Sequence, residues 1–104
     1  MRRTTQDHFE SQRKDCLNRF FDAYPDDTLR KRSLKALRFL VGRGETLRGR
    51  PAGWAGGIVY ALINQEHFPC GIPGLFNRDV EKSFGVAMGT IRERAVRVEK
   101  ILTV

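Results

Sequence analysis

A run of 15 residues without a single charge, positions 51–65, constrains the fold of this chain more than any other feature. Pro51 suits the first turn of a helix, because its missing N–H would have no intrahelical partner there. Apolar side chains then point in every direction, as in a helix that other helices surround. Gly53, Gly56 and Gly57 each cost about 1 kcal/mol relative to alanine inside a helix, so we expect neighbouring backbones to approach closely there. The pattern predicts a buried central helix.

Two amphipathic helices are predicted before this segment. The first covers about residues 5–24 and ends at Pro25. The second covers roughly residues 28–41, and Asp26-Asp27 supply a turn and an N-cap before it. The residues predicted on its buried side are Leu29, Leu34, Ala36, Leu37, Leu40 and Val41. Its other side carries Lys31, Arg32, Lys35 and Arg38.

Residues 77–102 follow a helix-turn-helix pattern. Asn77 can cap a short helix, Gly85 makes the turn and Val86 fills the corner. The longer second helix carries apolar residues at spacings of four, three and four, namely Ile91, Ala95, Val98 and Leu102. Two helices with this pattern share one small core. The motif commonly places its second helix in the major groove of DNA.

The chain as a whole is predicted to be a single all-helical domain, residues 1–104, with about five helices around the central one. No alternating strand pattern occurs, and no segment approaches 18 consecutive apolar residues. The start of the sequence lacks the apolar stretch of a signal peptide. Two cysteines, Cys16 and Cys70, do not make a disulfide framework. We therefore expect a cytoplasmic protein.

The positive charge of the chain is concentrated in one segment. The net charge is +7 and the isoelectric point is near 10.1, which favours an acidic partner, with nucleic acid first among candidates. Residues 28–50 contain eight basic side chains and the single acid Glu45, so the rest of the chain balances to zero. Lys31, Lys35 and Arg38 follow helical spacing and form one ridge. The alternative interpretation is an ordinary solvated helix face.

The predicted nucleic-acid site combines this segment with the second helix of the helix-turn-helix. The residues expected to hold the phosphates of duplex DNA are Lys31, Lys35, Arg38, Arg43, Arg48 and Arg50. Arg92 and Arg97 are expected to approach base edges or phosphates. The alternative for residues 88–102 is a surface helix that closes the bundle. One continuous basic stripe that joins the two regions would favour DNA, whereas two separate patches would favour a protein partner.

Residues 48–102 also resemble a known family. Arg50-Pro51 leads into a helix with Trp54-Ala55 and Val59-Tyr60-Ala61-Leu62, a Gly-Pro connector follows, and then comes DVEKSFGVAMGTIRERAVRVEKIL. This order resembles the cyclin-box repeat of transcription factor IIB. It is similar, more closely still, to an uncharacterised bacterial family with the same central helix and a following "fGVs…T" motif. The resemblance implies a five-helix cyclin-like bundle that ends in a helix-turn-helix, and a link to transcription.

The resemblance leaves a second functional class open. Cyclin boxes also bind other proteins, so a protein-interaction module or a dimerising adaptor is the alternative. A neutral, partly apolar outer face at Met88, Gly89 and Val96 favours protein contact over phosphate contact. Ala87 occupies the position where the family commonly has a serine or threonine that caps the second helix.

Catalytic and metal sites are not indicated by the sequence. Glu66, His67 and Cys70 lie close together and have the side chains of a base and a nucleophile, but nothing in the sequence orients them. A structural zinc site usually needs four ligands in close pairs, and only His8 and Cys16 remain as further ligands. We expect no enzyme activity, no metal and no cofactor. Trp54 is expected to be a buried anchor.

Overall fold

The computed structural model describes residues 5–43, 49–65 and 77–102, which form five α-helices. In chain order these are α1 (Thr5–Ala23), α2 (Asp27–Gly42), α3 (Pro51–Gln65), α4 (Asn77–Phe84) and α5 (Met88–Leu102). No strand occurs in these ranges. The predicted all-helical fold of five helices is confirmed, with bounds that differ from the predicted ones by one residue at most. The cyclin-like arrangement and the DNA-reading role of the α4–α5 pair stay predictions.

Helix α3 lies at the centre of the bundle. It packs most extensively against α5 and also contacts α1, α2 and α4. Every residue from 53 to 63 is buried, including Trp54 and Ile58. This confirms the central helix predicted from the charge-free segment. A helix without a polar face gains stability only when neighbours cover it on all sides, and the other four helices do so here.

Helices α3 and α5 approach most closely at Gly57. A Cβ atom on Gly57 would lie 2.6 Å from Arg94 Cβ and 3.0 Å from the backbone nitrogen of Ala95. The expectation of a close backbone approach is therefore confirmed at Gly57. It is wrong at Gly53 and Gly56, where the nearest atoms belong to side chains.

Helices α1 and α2 cover the remaining side of α3. The ring of Phe20 in α1 stacks on Phe84 in α4, with 4.8 Å between centroids. Arg13 is only 1% exposed, although no role for it is predicted from the sequence. Its position, four residues before Leu17 and seven before Phe20, is the available signal, since that spacing places it on the buried stripe of α1. Burial lowers the pKa of the Arg13 guanidinium.

Helix α2 begins and packs largely as predicted. Asp26 Oδ1 accepts a hydrogen bond from the Leu29 backbone N–H at 3.0 Å, which satisfies one of the donors that a helix start leaves without a partner. Five of the six residues predicted on the buried side are buried. The sixth, Leu34, is half-buried and packs against the edge of the core.

The turn between α4 and α5 spans residues 85–87. Gly85 has φ +68°, a conformation that favours glycine, and Val86 is buried, as predicted. Glu81 Oε2 accepts a hydrogen bond from the Met88 backbone N–H at 2.7 Å. Glu81 therefore caps α5 in place of Ala87, whose side chain has no acceptor. Met88 is buried, so its predicted place on the outer face of α5 is wrong, because it lies three residues before Ile91 on the packed side.

Candidate nucleic-acid interface

Three exposed basic residues, Lys31, Lys35 and Arg38, form one row along α2, and we call this row the α2 ridge. It lies opposite the buried face of the same helix. Arg38 Nε lies 4.0 Å from Glu10 Oε2, and the Arg38 side chain is 75% exposed. Such a long, solvated pair adds little energy. Lys31 and Lys35 make no ion pair with any residue that the structure describes.

The helix that carries the ridge is far more basic than its neighbour α1. Helix α2 has five basic residues and one acid, whereas α1 has three basic and four acidic residues. Arg30 lies on the flank of α2 that faces α1, and its Nε and Nη2 donate to Asn18 Oδ1 at 3.1 and 2.9 Å. Arg30 thus joins the two helices, and the net positive charge of this pair of helices lies on α2.

A groove opens on the other flank of the ridge, between α2, α3 and the last turn of α5. Its volume is about 380 Å³, and the residues that line it are Arg32, Lys35, Ala36, Phe39, Leu62 and Leu102. Phe39 is 44% exposed. The guanidinium carbon of Arg43 lies 5.7 Å from the centre of the Phe39 ring. We call this feature the Phe39 groove.

No role for Phe39 is predicted from the sequence. The available signal is its spacing, because Phe39 follows Lys35 by four residues and therefore lies on the basic side of α2 rather than on the buried side.

The outer face of α5 carries charges of both signs. Arg92, Glu93 and Arg97 are exposed there. Arg92 and Arg97 project about 140° apart around the helix, since each residue advances the helix by about 100°. Within the described residues neither one makes an ion pair. The two arginines therefore point to different sides of α5.

Arg92 lies close enough to Tyr60 of α3 for its charge to act on the Tyr60 hydroxyl. This hydroxyl donates a hydrogen bond to Asn77 Oδ1 at 3.0 Å. Burial raises the pKa of the Tyr60 hydroxyl, and the nearby positive charge of Arg92 partly opposes this rise. Arg92 thus acts on a buried group at the α3–α4 contact as well as on the surface.

Arg94 belongs to the packed part of α5. Its guanidinium lies 4.9 Å from the centre of the Trp54 ring, and its Nη1 donates to Glu93 Oε1 at 2.6 Å. Trp54 is 2% exposed, which confirms the predicted buried anchor. A cation over an indole ring is favourable electrostatically, so Arg94 fixes α5 on α3 and contributes little to the outer surface.

The N-terminus of α5 carries an acidic group. In helix-turn-helix proteins, residues near this end of the second helix contact base edges. Here the Glu81 carboxylate caps the end and its negative charge opposes an approaching phosphate. The arrangement favours α2 over α5 as the main phosphate contact.

The other predicted residues fall as follows. Arg50 is exposed and directly precedes α3. Arg48, Glu66, His67 and Cys70 lie outside the described residues. The described part of the chain contains no group of three His, Cys, Asp or Glu side chains arranged for a metal ion. None of the described helices combines the length and apolar character that a membrane crossing requires.

Comparisons with protein families, with curated proteins and with solved structures found no match in any of the three. The resemblance to the cyclin-box repeat stays a prediction from the sequence.

Proposed function

We propose that this protein binds nucleic acid through the phosphate backbone, with the α2 ridge as its main contact surface and without catalysing a reaction. The observation that supports this most is the exposure of Lys31 and Lys35, without an ion pair among the described residues, on a helix with five basic residues and one acid. Contacts of this kind are independent of sequence and weaken with salt. Duplex DNA is the expected partner.

The other basic residues have supporting roles in this proposal. Arg43 and Arg50 are both exposed and add positive charge to the surface. Arg92 and Arg97 add charge on α5, where Glu93 opposes them. The resemblance to the cyclin-box repeat supports transcription as the setting in which such binding would occur.

The test is a fluorescence anisotropy titration with mixed-sequence duplex DNA from 50 to 200 mM salt, a range over which phosphate contacts weaken markedly. We expect the logarithm of the binding constant to fall linearly with the logarithm of salt, with a slope of about −0.9 for each phosphate contacted. The triple variant Lys31→Glu/Lys35→Glu/Arg38→Glu should weaken this binding by roughly 100-fold or more.

A matched control separates the ridge from net charge. The triple variant Lys14→Glu/Arg19→Glu/Lys82→Glu makes the same change in charge at exposed positions of α1 and α4. This control variant should retain most of the affinity for duplex DNA. A small loss is expected because the lower net charge of the protein attracts DNA less strongly. Equal losses in the two triple variants, or no binding at 50 mM salt, would contradict the proposal.

A second candidate function is a protein-interaction module or a dimerising adaptor. The observation that favours it is Val96, which is 51% exposed on the mixed-charge outer face of α5. Under this proposal, light scattering should show association that depends on protein concentration. Val96→Asp should then restore the monomer, and Lys31→Asp should not.

A further inference from the structure

Phe39 is exposed at a position where α2 is otherwise basic. It and Val96 are the large hydrophobic residues exposed in the part of the chain that the structure describes. The other apolar residues that line the groove, which we call its floor, are Ala36, Leu62 and Leu102. The groove therefore offers one aromatic ring face and an apolar base to a ligand from solution.

Basic side chains surround this aromatic ring along the same strip of α2. Lys35 precedes Phe39 by four residues, Arg32 precedes it by seven, and Arg43 follows it by four. These spacings place the four side chains on one side of a helix. Among the described residues that line the groove there is no acid. The charge of the groove thus complements an anionic ligand, and its floor complements an apolar, planar group.

The size of the groove limits what can occupy it. A volume of about 380 Å³ lies at the lower end of the range for small-molecule sites, about 300 to 1,000 Å³. A partner helix would insert anchors over two or more turns into a longer apolar groove. A single planar ring flanked by phosphates matches the groove. The ring matches the short apolar floor, and the phosphates match the basic side chains around it.

We propose that the Phe39 groove receives an unpaired base of single-stranded nucleic acid, which stacks on Phe39 while the neighbouring phosphates contact Arg32, Lys35 and the α2 ridge. This inference rests on the proposed function, since the ridge supplies the phosphate contacts. Stacking on an aromatic side chain tolerates any base, because every base has a π face. Bases inside a duplex are paired and stacked, so they reach such a groove only after leaving the helix.

The test compares two labelled strands that carry the same number of phosphates. One is a thymidine oligonucleotide of about twelve nucleotides, within the usual range for single-strand sites, and the other has the same backbone with abasic sites. At 50 mM salt we expect the thymidine strand to bind about 5-fold or more tightly, the low end of what one stacked base contributes. Phe39→Ala should remove this difference and leave the salt dependence unchanged.

Two further variants make the test independent of folding defects. Val96→Ala truncates the other exposed hydrophobic residue and should leave the preference for thymidine intact. Phe39→Trp keeps an aromatic ring and should retain the preference, and its indole fluorescence should be quenched by the thymidine strand but not by the abasic one. Absence of quenching in a folded Phe39→Trp protein would overturn the inference.

The outcomes distinguish this inference from the proposed function. Equal, salt-dependent binding of both strands would overturn base stacking and leave phosphate binding in place. No binding of either strand or of duplex DNA would refute both. A labelled amphipathic peptide of leucine and glutamate, tested in parallel, should bind more weakly than the thymidine strand. Tighter binding of this peptide that is lost in Phe39→Ala would assign the groove to a protein segment instead.

Discussion

The outer faces of α2 and α5 are both exposed and both contain arginine or lysine, but the two helices differ in net charge and in the contacts of their basic side chains. On α2 the ridge residues face solvent, and five basic residues oppose one acid. On α5 four basic residues oppose two acids, and Arg94 is held by Trp54 and Glu93. Helix α5, whose sequence resembles that of a DNA-reading helix, therefore carries less net positive charge than α2.

The difference follows from how the two helices pack. Helix α5 crosses α3 so closely at Gly57 that the backbones touch, and the side chains beside this crossing contact α3 and α4. Helix α2 contacts α3 less extensively, and its flanks leave room for an open groove. Because α5 packs closely on α3, side chains on the polar flank of α5 make structural contacts. The polar side chains of α2 remain exposed and can contact a ligand.

The largest expected effect compares charge reversal on the two faces. The ridge variant Lys31→Glu/Lys35→Glu/Arg38→Glu should weaken binding of duplex DNA by roughly 100-fold or more and reduce the salt slope by about three, one unit for each contact removed. Arg92→Glu/Arg97→Glu should weaken binding by less than about 10-fold, because Glu93 already opposes phosphate on that face. Anisotropy titrations at several salt concentrations measure both. A larger loss from the α5 variant would reverse the comparison.

The second prediction concerns the inner and outer sides of α5. Gly57→Ala should lower the free energy of unfolding by about 1 to 3 kcal/mol or more, since the added methyl would overlap Arg94 and the α5 backbone. Gly89→Ala, with nothing within 4 Å of the new methyl, should raise it by up to about 1 kcal/mol through helix propensity. Chemical denaturation followed by circular dichroism measures both. Equal effects would show that α5 does not cross α3 at Gly57.

A third prediction uses the acidic cap of α5. Glu81→Ala should lower the free energy of unfolding by about 0.5 to 2 kcal/mol, as expected for loss of a cap, and Glu81→Gln, which keeps an acceptor oxygen, should cost less. Neither change should strengthen DNA binding, because in this proposal phosphates contact α2. Denaturation and anisotropy are measured on the same samples. Tighter DNA binding by Glu81→Gln would indicate that the N-terminus of α5 approaches a phosphate.

Much of the fold could be predicted because it depends on local patterns. The charge-free segment identified α3, Asp26 identified the start of α2, and the apolar spacing of Ile91, Ala95 and Val98 identified the buried side of α5. The Glu81 cap could not be predicted, since it depends on how α4 and α5 meet in space. The overall fold class was therefore accessible from the sequence, and contacts between helices were not.

The candidate site was only partly accessible for the same reason. The ridge follows from the spacing of Lys31, Lys35 and Arg38 within one helix. The Phe39 groove depends on Leu62 and Leu102, which come from two other helices. Periodicity places Phe39 on the basic side of α2, but it does not show whether other helices cover the ring. Its exposure is decided by how closely the adjacent helices approach.

The smallest expected effect is a change in the pKa of Tyr60. It tests whether Arg92 acts on this buried hydroxyl while Lys31 does not. Burial raises the pKa of Tyr60 above its ordinary value near 10, and Arg92 lowers it in part. Arg92→Gln should therefore raise this pKa further, and Lys31→Gln should leave it unchanged. Ultraviolet titration in a Tyr24→Phe background isolates Tyr60, since burial also raises the pKa of Tyr24. An unchanged pKa of Tyr60 in Arg92→Gln would show that Arg92 does not act on this buried hydroxyl.

The same shift predicts how stability depends on pH. The unfolded chain releases the Tyr60 proton near pH 10, whereas the folded protein holds it to higher pH. The contribution of this group is therefore constant below pH 10 and is lost as pH rises through the folded pKa. Tyr60→Phe should reduce this alkaline loss, and at neutral pH it should cost about 0.5 to 1.5 kcal/mol for the hydrogen bond to Asn77. Thermal unfolding at neutral and alkaline pH measures both, and an equally steep alkaline loss in the variant would exclude Tyr60 as its source.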